Sequence, residues 1–186
     1  MDAMTLLHQR RSMGKLAGPA PTAEQLDAIY RAALRAPDHK EMTPYRFIEI
    51  SGEGLDRLGE LFARSDYQAN PHIDDGNLDA ARKKPKRAPM IIAAIARITP
   101  DLPKVPPVEQ LISAGCAAHA MLYAAFAQGL GAMWRTGTYA HDKSVWRGLG
   151  LGEHEELIGY LYLGQVGGRY PEAPARDPEA YLERWR

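Results

Sequence analysis

Residues 106–129, PPVEQLISAGCAAHAMLYAAFAQG, decide the fold of this chain. Pro106 and Pro107 preset the backbone for a first helical turn whose N–H groups lack intrahelical partners in any case, and Gly129 supplies the left-handed conformation that closes a helix. The spacing predicts one helix from about Val108 to Gln128, the longest in the chain. Its middle is apolar all round, as in a helix buried on every side. Ser113, Ala117, Ala120, Ala124 and Ala127 make a stripe of small side chains that invites close approach by a second helix, at a subunit interface for example. A membrane span has a similar composition, but Ser113, Gly115, His119 and Gln128 dilute the run and no other segment resembles a span. A buried central helix is the expectation.

Outward from this helix, extended and helical segments alternate. Ala132 to Thr136 and Leu157 to Leu163 read as strands, separated by a helical stretch from Asp142 to Leu149. Upstream, Met90 to Ala96 is a continuous apolar run between Pro89 and Arg97, which suits a central strand covered on both faces. Asp2 caps a short helix that ends near His8, and Thr22 with Gln25 forms a capping box for a helix carrying Leu26, Ile29, Tyr30 and Ala33 until Pro37 stops it at Ala36. Arg35 then sits in the last turn, where a cation complements the helix dipole. A two-proline loop follows and feeds a strand from Arg46 to Ile50; Leu55 to Arg64 reads as an amphipathic helix, and Ser65 to Gly76 as a mobile surface loop. This order gives an α+β fold with a small central sheet.

Composition bounds the function. The 186 residues, 45% of them hydrophobic, suffice for one domain with a sizeable core. Lysine plus arginine and aspartate plus glutamate both total 23. No global basic field therefore argues for nucleic acid or an anionic membrane, and binding must come from local sites. A single cysteine and an amino terminus without a signal-peptide pattern make the cytoplasm the expected compartment.

Two short basic motifs stand out, Arg10-Arg11-Ser12 and Trp134-Arg135-Thr136. Each joins a guanidinium fork to a hydroxyl, chemistry suited to gripping a phosphate. Other motifs fail. Gly129-Leu130-Gly131 begins like a dinucleotide fingerprint, yet it lacks the third glycine and runs from helix into strand, the reverse of the required order. The six histidines show no metal-ligand spacing, and Cys116 lies in an apolar helix, so neither a metal centre nor a thiol nucleophile is expected. The cluster Arg82-Lys83-Lys84-Pro85-Lys86-Arg87 reads as a solvated helix end with a steering role.

Taken in order, Arg10-Arg11-Ser12, Arg35-Ala36-Pro37-Asp38-His39, Thr43-Pro44-Tyr45-Arg46-Phe47, Ser113-Ala114-Gly115, Gly129 to Arg135 and Tyr162-Leu163-Gly164 resemble the nitroreductase family of flavin-dependent oxidoreductases. The likeness is strongest to its small YdjA-like group and spans the chain up to Gly164. It implies a three-layer α+β sandwich with a small mixed central sheet flanked by helices. It also implies a homodimer binding FMN at the subunit interface, with NADH or NADPH as hydride donor and a nitro compound, quinone or similar small molecule as electron acceptor. Residues 1–186 then form one domain, with 165–186 a tail packing on the partner subunit. Carried over by resemblance, Arg10, Arg11 and Ser12 grip the flavin phosphate and ribityl chain, Arg35 and His39 contact the flavin, and Trp134, Arg135 and Thr136 form a second flavin-binding tripeptide. A nicotinamide-nucleotide contact falls on Ala124, Ala125, Phe126, Ala127, Gln128 and Gly129. No residue is assigned a catalytic role of its own, since the chemistry lies on the flavin.

The chain departs from the wider family in two places. Gly14 followed by Lys15 replaces a basic residue two positions after the serine, and Glu41-Met42-Thr43-Pro44-Tyr45 replaces a pattern of asparagine, any residue, glutamine, proline and tryptophan. Glu41, if inward-facing, disfavours an anionic reduced flavin. The competing functional class is a flavin-binding carrier or redox sensor with little turnover. For Arg135, strand alternation opposes its facing the same way as Trp134 and Thr136 unless the strand ends there. The expectation is that the backbone turns at Gly137 and Arg135 closes on the FMN phosphate.

Overall fold

The computed structural model describes residues 1–169 and 172–186; positions 170 and 171, inside the predicted tail, lie outside the described residues. Its centre is the apolar run, now strand β3 (Met90–Arg97), paired on one side with β2 (Tyr45–Ser51) and on the other with β5 (Glu155–Val166). Strand β4 (Gly131–Arg135) and the two-residue β1 (Leu16–Ala17) also pair with β5. Every pairing among the described residues is antiparallel, so the expectation of a mixed sheet is corrected. Helical segments join these neighbours: α3 (Glu53–Ala69) and α4 (Asp75–Lys83) lie between β2 and β3, and α6 (Thr138–His141) and α7 (Lys143–Gly148) between β4 and β5.

Alternation along β3 divides its side chains between two cores. Ile92, Ala94 and Ala96 face one cluster, built with helices α2 (Ala23–Ala33) and α5 (Pro107–Ala127). Ile91, Ala93 and Ile95 face the other, built with α3 (Glu53–Ala69), α4 (Asp75–Lys83), α6 (Thr138–His141) and α7 (Lys143–Gly148). Helices thus cover both faces, as a three-layer sandwich requires. The remaining helix, α1 (Ala3–Gln9), is capped by Asp2, whose carboxylate accepts the Met4 and Thr5 N–H groups.

The long helix behaves as its sequence predicts at both ends. Pro106 precedes it, and Gly129 (φ 76°) ends it in a double closure: Gly129 N–H bonds Phe126 O and Leu130 N–H bonds Ala125 O, each at 3.0 Å. By length and composition it is long and apolar enough to cross a membrane, but Ala114, Ala117, Ala118, Met121, Leu122 and Ala125 are buried against α2 and the sheet. The small-residue stripe does not run along one free face. Ser113 and Ala117 are consumed inside the chain, Ala120 and Ala124 are half-buried, and only Ala127 is exposed.

Several boundaries differ from the sequence reading. The Thr22–Gln25 capping box forms, but α2 ends at Ala33 rather than Ala36, leaving Arg35 beyond the last turn. Residues 65–76 are not a mobile loop: α3 continues to Ala69, with Ser65 buried and bonded to Asp142, and Asp74 caps α4 through the Asn77 N–H. Strand β5 extends to Val166, so the tail begins after it. Within the tail, Tyr181, Leu182 and Trp185 are exposed, Trp185 by 92%.

Candidate functional site

The first basic motif leaves α1 as a loop stitched to the edge of the sheet. Arg10 caps α1, its N–H bonding Leu6 O at 3.3 Å, and three residues later Met13 N–H bonds Ala132 O of β4 at 2.9 Å. The Arg10 guanidinium lies 5.6 Å from the Tyr123 ring centre on α5. Its Nε and Nη1 are buried with no hydrogen-bond partner among the described residues. Charged donors left this way cost more than neutral ones, so such groups call for a ligand or another chain. His119 packs edge-on against Tyr123, ring centres 4.7 Å apart. Partial burial, and then the Arg10 charge, hold His119 below the usual imidazole value. Arg11 reaches the tail and donates from Nη1 to the Glu172 carbonyl, and Ser12 is exposed.

The second motif splits across β4. Trp134 turns toward α5, close to Gly115, and its Nε1–H donates to Ile158 O at 3.2 Å. Gly159 makes this seat possible: a Cβ there would stand 2.3 Å from the indole Nε1, and its φ of 149° is unfavourable for other residues. Arg135 points to the opposite face and lies 5.4 Å from the Tyr162 ring centre, with Nε buried and unpartnered among the described residues. The strand does end at Arg135, but alternation holds through it, so Arg135 faces the α3–α6 side while Arg10 belongs to the α5 side. Arg10 and Arg135 therefore approach β4 from opposite faces.

Arg135 and Thr136 instead line a cavity of about 430 Å³ with Lys84, Arg87, Tyr139 and Tyr162. The basic cluster read as a solvated helix end is divided. Arg82 pairs with Glu60 and Asp79, and Lys86 with Asp56, whereas Lys84 and Arg87 turn to this cavity. Burial raises the Tyr162 phenol, while the charges of Arg135 and Arg87 work in the other direction, which marks the cavity as a positive region. Its lysine and second arginine come from a segment that sequence spacing alone does not connect to β4.

Arg35 and His39 flank a loop anchored at the other end of α5. Ser113 Oγ donates to Pro37 O at 2.7 Å, His39 Nδ1 lies 2.9 Å from Glu109 Oε2, and Lys40 Nζ donates to Pro103 O at 3.1 Å. Between these anchors Lys40, Glu41 and Thr43 adopt positive φ of 65°, 53° and 48°. Such conformations cost about 1–3 kcal/mol each and persist where surrounding contacts hold them, often at binding sites. Glu41, the unusual residue of this loop, is exposed in the single chain.

The segment carried over as a nicotinamide contact divides in the same way. Ala125 is sealed in the core and Gln128 donates to Gln25 O and Ala124 O, so these positions serve packing. Phe126, Ala127 and Gly129 line a larger cleft of about 1040 Å³ between α1, the end of α5 and tail residues 172–176. Helical periodicity explains the split, since one face of a helix cannot be both core and cleft.

The nitroreductase family model matches residues 7–165. The chain belongs to the nitroreductase family. Over 164 residues, 88% of each chain, it is 46% identical to YdjA of Escherichia coli strain K12, named as a candidate NAD(P)H nitroreductase. Its fold matches that of a nitroreductase-like family protein from Bacillus cereus, with a TM-score of 0.83 and 21% identity over 100% of this chain and 96% of that one. It also matches the FMN-dependent nitroreductase NfnB from Mycobacterium smegmatis, solved with NADPH, with a TM-score of 0.73 and 18% identity over 99% and 98% of the two chains. As in any nitroreductase that uses FMN, an anionic phosphate and a ring that gains charge on reduction require cationic donors. The buried, unpartnered nitrogens of Arg10 and Arg135 fit that requirement.

Proposed function

We propose that this chain is an FMN-dependent NAD(P)H oxidoreductase that works as a cytoplasmic homodimer. FMN, when bound, carries the redox chemistry, taking a hydride from NADH or NADPH and delivering two electrons to a nitro compound, quinone or similar small molecule in alternating half-reactions. The protein's share is anchoring and electrostatics. Arg10, Arg11 and Ser12 hold the phosphate and ribityl chain, and Trp134, Arg135 and Thr136 contact the flavin from β4. Arg135, Lys84 and Arg87 surround the charge gained on reduction with positive groups. The observation that carries this reading is the set of buried guanidinium nitrogens, Nε and Nη1 of Arg10 and Nε of Arg135, that find no partner among the described residues.

A length supports the dimer. His39 is tied to Glu109 in the first turn of α5, whereas Arg10 sits on Tyr123, fourteen residues further along, or about 21 Å at the helical rise. If both motifs touch the same end of one flavin, they come from different subunits. Exposed Val108 and Ile112 on α5, at 57% and 60%, and the aromatic tail supply apolar surface for such a partner. A nicotinamide nucleotide then contacts only the cleft-facing Phe126, Ala127 and Gly129 of its predicted segment.

The absorption spectrum of protein purified without added cofactor, followed by anaerobic mixing with NADPH, tests the proposal. A visible flavin band that bleaches rapidly is expected. A band that bleaches only slowly marks a flavin carrier, and colourless protein that fails to take up FMN overturns the reading.

A further inference from the structure

Behind Lys84 stands a chain of side chains from three elements. Lys84, at the end of α4, donates from Nζ to the hydroxyl of Tyr139 on α6. The same hydroxyl donates to Asp66 Oδ2 on α3 at 2.7 Å. A phenol has one proton and accepting lone pairs, so it can serve the ammonium and the carboxylate at once. The Tyr139 ring is buried and cannot swing away, because Phe62 stacks on it with ring centres 4.0 Å apart and planes within 5°. Burial, and then the bond to Asp66, push the phenol above its usual value and keep it a donor. The neighbouring residue on α3, Ser65, bonds Asp142, which caps α7 through the Ser144 N–H at 2.6 Å. Both ends of the Asp66–Tyr139 link are thus fixed.

A lysine is a point charge on a flexible stem, and its field at a given spot depends on what pins it. Of the three Lys84 donors, the one spent on Tyr139 fixes the ammonium, and two remain for the cavity shared with Arg135 and Thr136. We propose that Asp66 and Tyr139 are positioning residues that hold the Lys84 ammonium in this cavity, so that it favours the reduced, anionic form of the bound flavin over the oxidised form. The proposal rests on the reading of the cavity given under Proposed function. It assigns a role to two residues that touch the flavin only through Lys84 or from the cavity wall.

The test measures the two-electron midpoint potential and the affinity for FMN in the wild type and in Lys84→Met, Tyr139→Phe, Asp66→Asn and the Lys84→Met/Tyr139→Phe double variant. Tyr139→Phe keeps the ring stack and removes only the hydroxyl. It is expected to reduce the preference for reduced over oxidised FMN about tenfold, or about 30 mV toward more negative potential. Lys84→Met is expected to shift it at least as far, and Tyr139→Phe to add nothing in that background. Asp66→Asn keeps an acceptor for the hydroxyl but also removes a carboxylate whose charge disfavours the anionic flavin, so its shift toward more negative potential is expected to be smaller than that of Tyr139→Phe, and it carries the test if Tyr139→Phe does not fold. A merely structural tyrosine would weaken both oxidation states alike and leave the potential unchanged. If Lys84→Met moves the potential while Tyr139→Phe and Asp66→Asn do not, the positioning role is wrong and the cavity reading stands. If Lys84→Met changes neither potential nor affinity, the cavity reading fails and the proposal fails with it.

Discussion

Arg46 and the pair Arg10 and Arg135 are arginines at two regions of the same sheet, and they live under opposite conditions. Arg46 on β2 donates from Nε and Nη2 to the two carboxylate oxygens of Glu155 on β5, each at 2.6 Å, and from Nη2 to Gly150 O at 3.2 Å. Its fork is filled, and it ties β2 to β5 across the intervening β3. Arg10 and Arg135 keep buried donors that nothing among the described residues fills. The difference separates an arginine that stabilises the fold from one held ready for a ligand. Burial alone does not distinguish them, but partner accounting does.

The comparison breaks first at Arg46. Arg46→Ala leaves the Glu155 carboxylate, only 16% exposed, with the Gly152 N–H at 2.9 Å and Arg97 Nε at 3.9 Å, and is expected to cost about 3 kcal/mol in denaturant unfolding while leaving FMN affinity of the folded protein near wild type. A loss below about 1 kcal/mol would make the clamp an ordinary surface pair.

Acid sharpens the same contrast. Chiefly through its hydrogen bonds to Arg46, Glu155 is held down at about 2, well under its usual value. A depressed carboxylate contributes stability that is fully present above its unfolded pKa and is lost as pH falls toward 2. Unfolding titrations between pH 6 and 2 should show stability declining below about pH 4.5, and the decline attributable to this group should vanish in a Glu155→Gln variant.

What the sequence discloses follows the same division between satisfied and open groups. The capping box at Thr22 and Gln25, the apolar run of β3 and the Gly129 closure are legible because each is a local arrangement that completes its own hydrogen bonds or buries its own side chains. The start of helix α4 is hidden, because Asp75 and Gly76 belong to a polar stretch that reads as loop and only Leu78 and Ala81 of its apolar residues pack inward. Strand β1, two residues long, offers no period to read. The arginine motifs are legible as phosphate chemistry, yet the face taken by Arg135 depends on where β4 stops relative to Gly159 and Trp134. Lys84 is legible only as one of five cations in a row of six that, with Arg87, could meet a nicotinamide 2′-phosphate, and it is the packing of α3, α4 and α6 that turns it to the cavity beside Arg135.

The smallest effects in free energy bear most directly on the central claim that the unpartnered arginines are there for FMN. Titrating FMN into apoprotein of the wild type, Arg10→Ala and Arg135→Ala measures them. Removing a charge-assisted contact is expected to lower affinity by about 1.5 to 3 kcal/mol for Arg10→Ala, or about tenfold to hundredfold, and by less for Arg135→Ala on oxidised FMN. Folding stability should change by no more than about 1 kcal/mol in either variant, since each arginine gives up a ring contact, with Tyr123 or Tyr162, while its unpartnered buried donors disappear with it. Equal dissociation constants for the wild type and Arg10→Ala would contradict the account.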